Sequence, residues 1–301
     1  TMLLTSLLPL ALWASSTLGY AIPEVNTTDA SLLLPRQSPS SGCGKSPFGT
    51  GVRNINVNGR SRQYTIRVPQ NYNPNTPYKL IFAFHWVGGT MNDIHSGGTD
   101  RELWSYYGMQ RMSQNSAILV APQGINNGWP NNGGEDIAFV DAMIRDIESN
   151  LCVNQRQRFA LGFSYGGSMT FSVACSRARD FRGVAVIGAG QLSGCNGGND
   201  PVAYFGIHGI YDGTLNIAGG RGLRDRFVRN NGCQNTNAPE PGRGSGRHVT
   251  TAFNGCRQGY PVSWAAFDGG HWPGAVDGGG ESGARSWVPG EIWGFFTQGQ
   301  L

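Results

Sequence analysis

The sequence predicts an α/β fold, with a mainly parallel central sheet, an N-terminal antiparallel hairpin and helices on both faces. Three observations predict it. Short continuous apolar runs bounded by Gly or Pro recur between residues 79 and 267. Stretches with helical periodicity lie between several of them, and clear two-residue alternation is confined to residues 52–69. Continuous apolar runs suit strands covered on both faces, whereas alternation suits a strand with one wet face.

The alternating segment runs through Ile55, Val57, Tyr64, Ile66 and Val68, with Asn58-Gly59 between its halves. Asn-Gly tolerates the positive φ angles of a two-residue turn, so 52–69 reads as an opening hairpin. Central strands are predicted at 79–85 (KLIFAFH), 117–122 (AILVAP), 158–163 (RFALGF), 183–189 (GVAVIGA), 202–208 (VAYFGIH) and 261–267 (PVSWAAF). Ile137, Val140, Ile144, Ile147 and Leu151 step by 3, 4, 3 and 4 behind the acidic pair Glu135-Asp136, which predicts a helix with one buried stripe. Residues 165–178 and 291–298 are predicted as further helices. Composition does not change within 43–301, so one domain is expected there, large enough to bury a core without help from a metal or partner.

The chain has 301 residues, a net charge of +4 and only 14% charged residues, with no long run of like charge. That gives no basis for a nucleic-acid or membrane partner, and a monomer is expected. Residues 3–22 are uncharged and end near the small residues Gly19 and Ala21, so 1–21 reads as a signal peptide. Pro9 and the Ser/Thr positions interrupt the run too early for a membrane span. Residues 22–42 read as a polar leader or pro-segment, with a glycosylation sequon at Asn26 and a candidate processing site at Pro35-Arg36-Gln37. Secretion is therefore expected. The six cysteines, Cys43, Cys152, Cys175, Cys195, Cys233 and Cys256, form no C-x-x-C, and no His stands at zinc-finger spacing. An even count behind a signal peptide implies three disulfides. Cys233 and Cys256 share one loop-rich segment and are expected to pair; the partners of the other four stay open.

Gly162-Phe163-Ser164-Tyr165-Gly166 falls where a predicted strand hands over to a predicted helix. G-x-S-x-G in that setting is a nucleophile elbow, a sharp turn that presents the serine hydroxyl, and it points to the α/β-hydrolase fold. In that fold the acid and then the histidine follow the serine along the chain. Of the five histidines, only His208, His248 and His271 come after Ser164. His271 lies just past the last predicted strand and is assigned as the base. His208 is expected to support the loop after its strand, His248 to lie in an exposed polar insertion, and His85 to brace its own loop. Asp212, after the preceding strand, is assigned as the acid; Asp268 and Asp277 beside Gly read as turn residues. The oxyanion hole is expected from the Tyr165 N–H and that of Val87, with Trp86 as the alternative. Trp86, Trp129 and Trp272 are candidate substrate contacts, and residues 213–260 a candidate partial lid. No cofactor is implied.

Six segments carry a resemblance: SGCGK at 41–45, FAFHWVGGTMNDI at 82–94, GFSYGGSM at 162–169, LSGCNGGNDPVAYFGIHGIYD at 192–212, RDRFVRNNGC at 224–233 and FDGGHWP at 267–273. Together they are similar to fungal-type feruloyl esterases of carbohydrate esterase family 1. The resemblance implies hydrolysis of esters joining ferulate or related hydroxycinnamates to arabinose side chains of plant polysaccharide. It also implies that Ser164, Asp212 and His271 are the triad. Acetylxylan esterases, polyester depolymerases and, less closely, serine peptidases share such a fold, and an inactive polysaccharide-binding module is the reading from another class.

Overall fold

In the strand Tyr78–Phe84 (β3), Leu80, Phe82 and Phe84 face one side of the sheet and Ile81 and Ala83 the other, and all five are fully buried. This is why the central runs are apolar throughout: each strand has to be covered twice. The structure, a computed structural model, describes residues 38–298. The expected signal peptide at 1–21, most of the 22–42 leader and Asn26 lie outside the described residues.

The opening hairpin forms from β1 (Gly51–Val57) and β2 (Arg60–Arg67), turning at Asn58-Gly59, both at positive φ. Strands β4 (Ala117–Pro122), β5 (Val153–Phe163), β6 (Gly183–Ile187), β7 (Ala203–Gly209), β8 (His248–Ala252) and β9 (Val262–Phe267) complete a nine-stranded sheet in the order β1-β2-β4-β3-β5-β6-β7-β9-β8. The six strands from β4 to β9 pair in parallel; β1, β2 and β8 are antiparallel. One face is covered by α3 (Glu135–Asn150), α4 (Tyr165–Ser176) and α5 (Ile217–Asn230), the other by the short α1 (Met91–Ser96) and α2 (Met109–Ser113) and by α6 (Val288–Thr297).

The predicted stripe holds for α3, where Ile137, Val140 and Ile147 are buried. Its first turn is tied down by Asn131, whose Oδ1 accepts from the Asp136 and Ile137 N–H groups at 3.1 and 3.2 Å. Asp136 in turn meets Arg62 of β2 at 2.7 Å, both side chains being buried. Burial raises the Asp136 carboxyl even though Arg62 pulls the other way.

Two expectations need correction. Residues 213–260 are largely scaffold rather than lid: they hold α5, which packs on β7 and β9, and β8, which extends the sheet edge. Strand β5 starts at Val153, five residues before the apolar run: Val153 pairs with Tyr78, and the polar residues after it form an irregularity before pairing resumes between Arg158 and Leu80. The disulfides join Cys43 to Cys152, Cys175 to Cys195 and, as expected, Cys233 to Cys256. Among the described residues no helix is long and apolar enough to cross a membrane.

Candidate active site

Ser164 sits at the C-terminal end of β5 with φ 57° and ψ −119°, immediately before α4. The turn closes only because its glycines lack a Cβ. One added at Gly162 would lie 2.4 Å from the Gly166 carbonyl oxygen, and one at Gly166 would lie 2.1 Å from that of Phe84. The elbow is fastened by the Ser164 N–H donating to the Ile187 carbonyl at 2.9 Å. The strain stored in this backbone is thus held by β3, β6 and the helix packed around it.

The Ser164 Oγ lies 2.9 Å from His271 Nε2, and His271 Nδ1 lies 2.6 Å from Asp212 Oδ2. A carboxylate can only accept, so the His271 proton resides on Nδ1 and leaves Nε2 free to accept the serine proton. The second oxygen of Asp212 accepts from the N–H groups of Thr214 and Leu215, each at 2.8 Å. Burial would raise this carboxyl, but His208, His271 and the two N–H groups outweigh it and hold it well below the ordinary carboxylate range. His208 donates through Nε2 to the Leu215 carbonyl at 2.7 Å, which fixes the loop carrying those donors. Phe163 backs the His271 ring at 4.6 Å between centroids. Such a chain can deprotonate a hydroxyl, stabilise the imidazolium formed and return the proton to a leaving group.

The loop after β3 lies alongside. His85 donates through Nδ1 to the Trp86 carbonyl at 2.7 Å and accepts at Nε2 from the Gly124 N–H at 3.0 Å. Burial holds it below its ordinary range, so it is a neutral brace. The N–H groups of Gly88 and Gly89 are taken by the carbonyls of Asn127 and Trp86. Among the described residues the N–H groups of Trp86 and Val87 have no hydrogen-bond acceptor, and Tyr165, as the first residue of α4, has an N–H without an intrahelical acceptor.

The three tryptophans separate. Trp86 and Trp272 are partly exposed beside the site. Trp129 is fully buried, donates to the His85 carbonyl at 2.8 Å and packs edge-on against Phe84, so it supports the loop and cannot touch a ligand. Asp268 accepts from the Gly246 N–H and Asp277 from His248 Nδ1, each at 2.7 Å, so neither reaches His271. His248 is not simply exposed: its ring stacks on Trp287 at 3.9 Å. Among the described residues no group of three or more His, Cys, Asp or Glu side chains is placed to hold a metal ion.

No family model matches the sequence. It is 49% identical over 271 residues to the probable feruloyl esterase C of Aspergillus terreus, covering 90% of this chain and 95% of the relative. Feruloyl esterase C of Emericella nidulans is 48% identical, with 85% of this chain and 90% of the relative covered. The chain belongs to the feruloyl esterase family. A third member, feruloyl esterase D of Neurospora crassa, is 47% identical with 87% and 91% covered. Among solved structures, a feruloyl esterase module from Clostridium thermocellum complexed with sinapinate matches with TM-score 0.56 at 15% identity, covering 87% of this chain and 94% of that one. An acetyl xylan esterase from Aspergillus awamori matches with TM-score 0.54 at 15% identity, covering 73% and 94%. Those two likenesses establish the α/β-hydrolase fold shared by this feruloyl esterase family member.

Sequence reasoning missed the N–H donors of Thr214 and Leu215. The Asp212-Gly213-Thr214 run is a turn signal in which Asp accepts from the backbone two residues on, and it could have revealed them.

Proposed function

We propose that this chain is a secreted serine esterase that hydrolyses feruloyl and related hydroxycinnamoyl esters of plant cell-wall polysaccharide. The observation that carries the reading is the unbroken hydrogen-bond chain from Asp212 through His271 to the strained Ser164. Family membership supplies the acyl group. In the proposed cycle the Ser164 Oγ attacks the ester carbonyl carbon as its proton passes to His271 Nε2. The Tyr165 N–H, with that of Val87 or Trp86, receives the negative oxygen of the tetrahedral intermediate. When the C–O bond to the sugar breaks, the alcohol oxygen takes the proton from Nε2. Water then attacks the acyl-enzyme by the same route, which releases the hydroxycinnamic acid and restores Ser164.

Three disulfides favour an oxidising compartment and, with the apolar segment at 3–22, support secretion. The test is hydrolysis of methyl ferulate, methyl p-coumarate, acetylated xylan and a short aliphatic ester by wild type and Ser164→Ala. Hydroxycinnamates are expected to be cleaved best, with turnover lost in the variant. Preference for acetyl or aliphatic esters would overturn the substrate class, and full turnover by Ser164→Ala would overturn the mechanism.

A further inference from the structure

A cavity of about 460 Å³ opens beside the loop after β3, bounded by Trp86, Trp104 and Tyr107 and by Asp93, Asp100 and Glu281. Its volume falls in the range of small-ligand sites. Tyr107 forms a fixed floor: it is buried, donates to the Phe84 carbonyl at 2.9 Å and meets Trp104 edge-on. Every charged side chain in the lining is a carboxylate. Among the described residues Asp93 and Asp100 each use only Oδ2, on Thr90 and on the Ala284 N–H. Their Oδ1 atoms, and the Glu281 carboxylate, can accept hydrogen bonds from a ligand.

Two features tie this cavity to the reaction. Trp86 belongs to the loop that offers the oxyanion-hole N–H groups. Glu281 belongs to the segment that follows His271, pairing with Ala275 in a short bridge. The same segment is tied back by the Ser282 N–H, which donates to the Gly274 carbonyl at 2.9 Å. Gly283 permits the close approach of this segment: a Cβ there would lie 2.5 Å from Trp104 and 2.7 Å from the Asp100 carboxylate.

The leaving alcohol must lie within reach of His271 Nε2 to receive its proton, so groups on the His271 side flank the alcohol half of the ester. An acceptor-rich, cation-free lining with two indoles suits a neutral polyhydroxylated ring and disfavours a carboxylate product. We propose that the cavity between Trp86, Trp104 and Glu281 is the subsite for the sugar alcohol of the ester, with Asp100 and Glu281 accepting hydrogen bonds from its hydroxyls. This rests on the esterase reading above.

The test compares kcat/KM for a feruloylated arabinoxylan oligosaccharide with that for methyl ferulate, whose alcohol is too small to fill the cavity. Glu281 is on the rim, so Glu281→Gln preserves shape while weakening one charge-assisted hydrogen bond. The oligosaccharide-to-methyl-ester ratio is expected to fall roughly tenfold, mainly through KM. Trp104→Leu is expected to lower the same ratio, and competitive inhibition of methyl ferulate cleavage by unesterified arabinoxylo-oligosaccharide is expected to weaken in both variants. An unchanged ratio, or equal losses on both substrates as an acyl pocket would give, overturns the assignment. If wild type cleaves neither ester, the esterase reading itself fails.

Discussion

Replacing Asp212 by Asn keeps the shape of the side chain, and its surroundings decide which way the new amide turns. In the wild type Oδ1 accepts two backbone N–H groups at 2.8 Å and Oδ2 accepts from His271 at 2.6 Å. An amide has one oxygen to offer. Turned toward the backbone, it keeps Thr214 and Leu215 satisfied and sets its NH2 against His271. Turned toward His271, it leaves two buried donors facing a third. Each unmet donor costs about 1–3 kcal/mol, so the first orientation wins. His271 then accepts at Nδ1 and carries its proton on Nε2, which faces the Ser164 Oγ with a donor instead of a base. The expected loss in kcat is roughly 10⁴-fold, about 5.5 kcal/mol in the barrier. The assay is methyl ferulate turnover at neutral pH, with a thermal melt to show that the variant is folded. A folded variant keeping more than about a tenth of wild-type kcat would refute the tautomer argument.

Gly166→Ala is expected to destabilise by more than about 3 kcal/mol, because its Cβ would meet main-chain oxygens at 2.1 and 2.5 Å that cannot swing aside; a wild-type urea midpoint would contradict this. Removing the Cys175–Cys195 bridge, which closes a separation of 20 residues, should cost about 3 kcal/mol in the same measurement, and no change would mean that the unfolded chain is already constrained. Arg62→Met should cost about 3–5 kcal/mol by stranding the buried Asp136, with most of it recovered in Arg62→Met/Asp136→Leu; equal loss in both would deny that the stranded charge is the cause. Because Asp212 is held below the ordinary carboxylate range, the folded state binds its proton less readily than the unfolded chain, so its contribution is full at neutral pH and lost as pH falls. The stability difference between wild type and Asp212→Asn should therefore shrink below about pH 4, and an equal difference at neutral and acid pH would argue against it.

Much of the fold was legible in the chain because the signals are local. A strand covered on both faces has to be apolar at every position, so β3, β4 and β9 announce themselves within a residue or so of their true bounds. Helix α3 shows its buried stripe because one face meets the sheet and the other meets water. The elbow is written into five consecutive residues because its turn excludes a Cβ at two of them. Helix α5 escaped because three glycines dilute its propensity, and β8 because an edge strand of five half-exposed residues has no continuous apolar run.

The sequence by itself determined which residue types were available for acyl transfer and their order along the chain. Only the tertiary structure decided that Ser164, Asp212 and His271, 48 and 59 residues apart in turn, meet in one hydrogen-bond chain. It also decided that Trp129 is a buried brace while Trp86 borders a cavity closed by residues nearly two hundred positions away. Burial and contact at such positions depend on how the sheet twists and which loops lean over its end. Those are outcomes of packing the whole chain, and no short window of residues carries them.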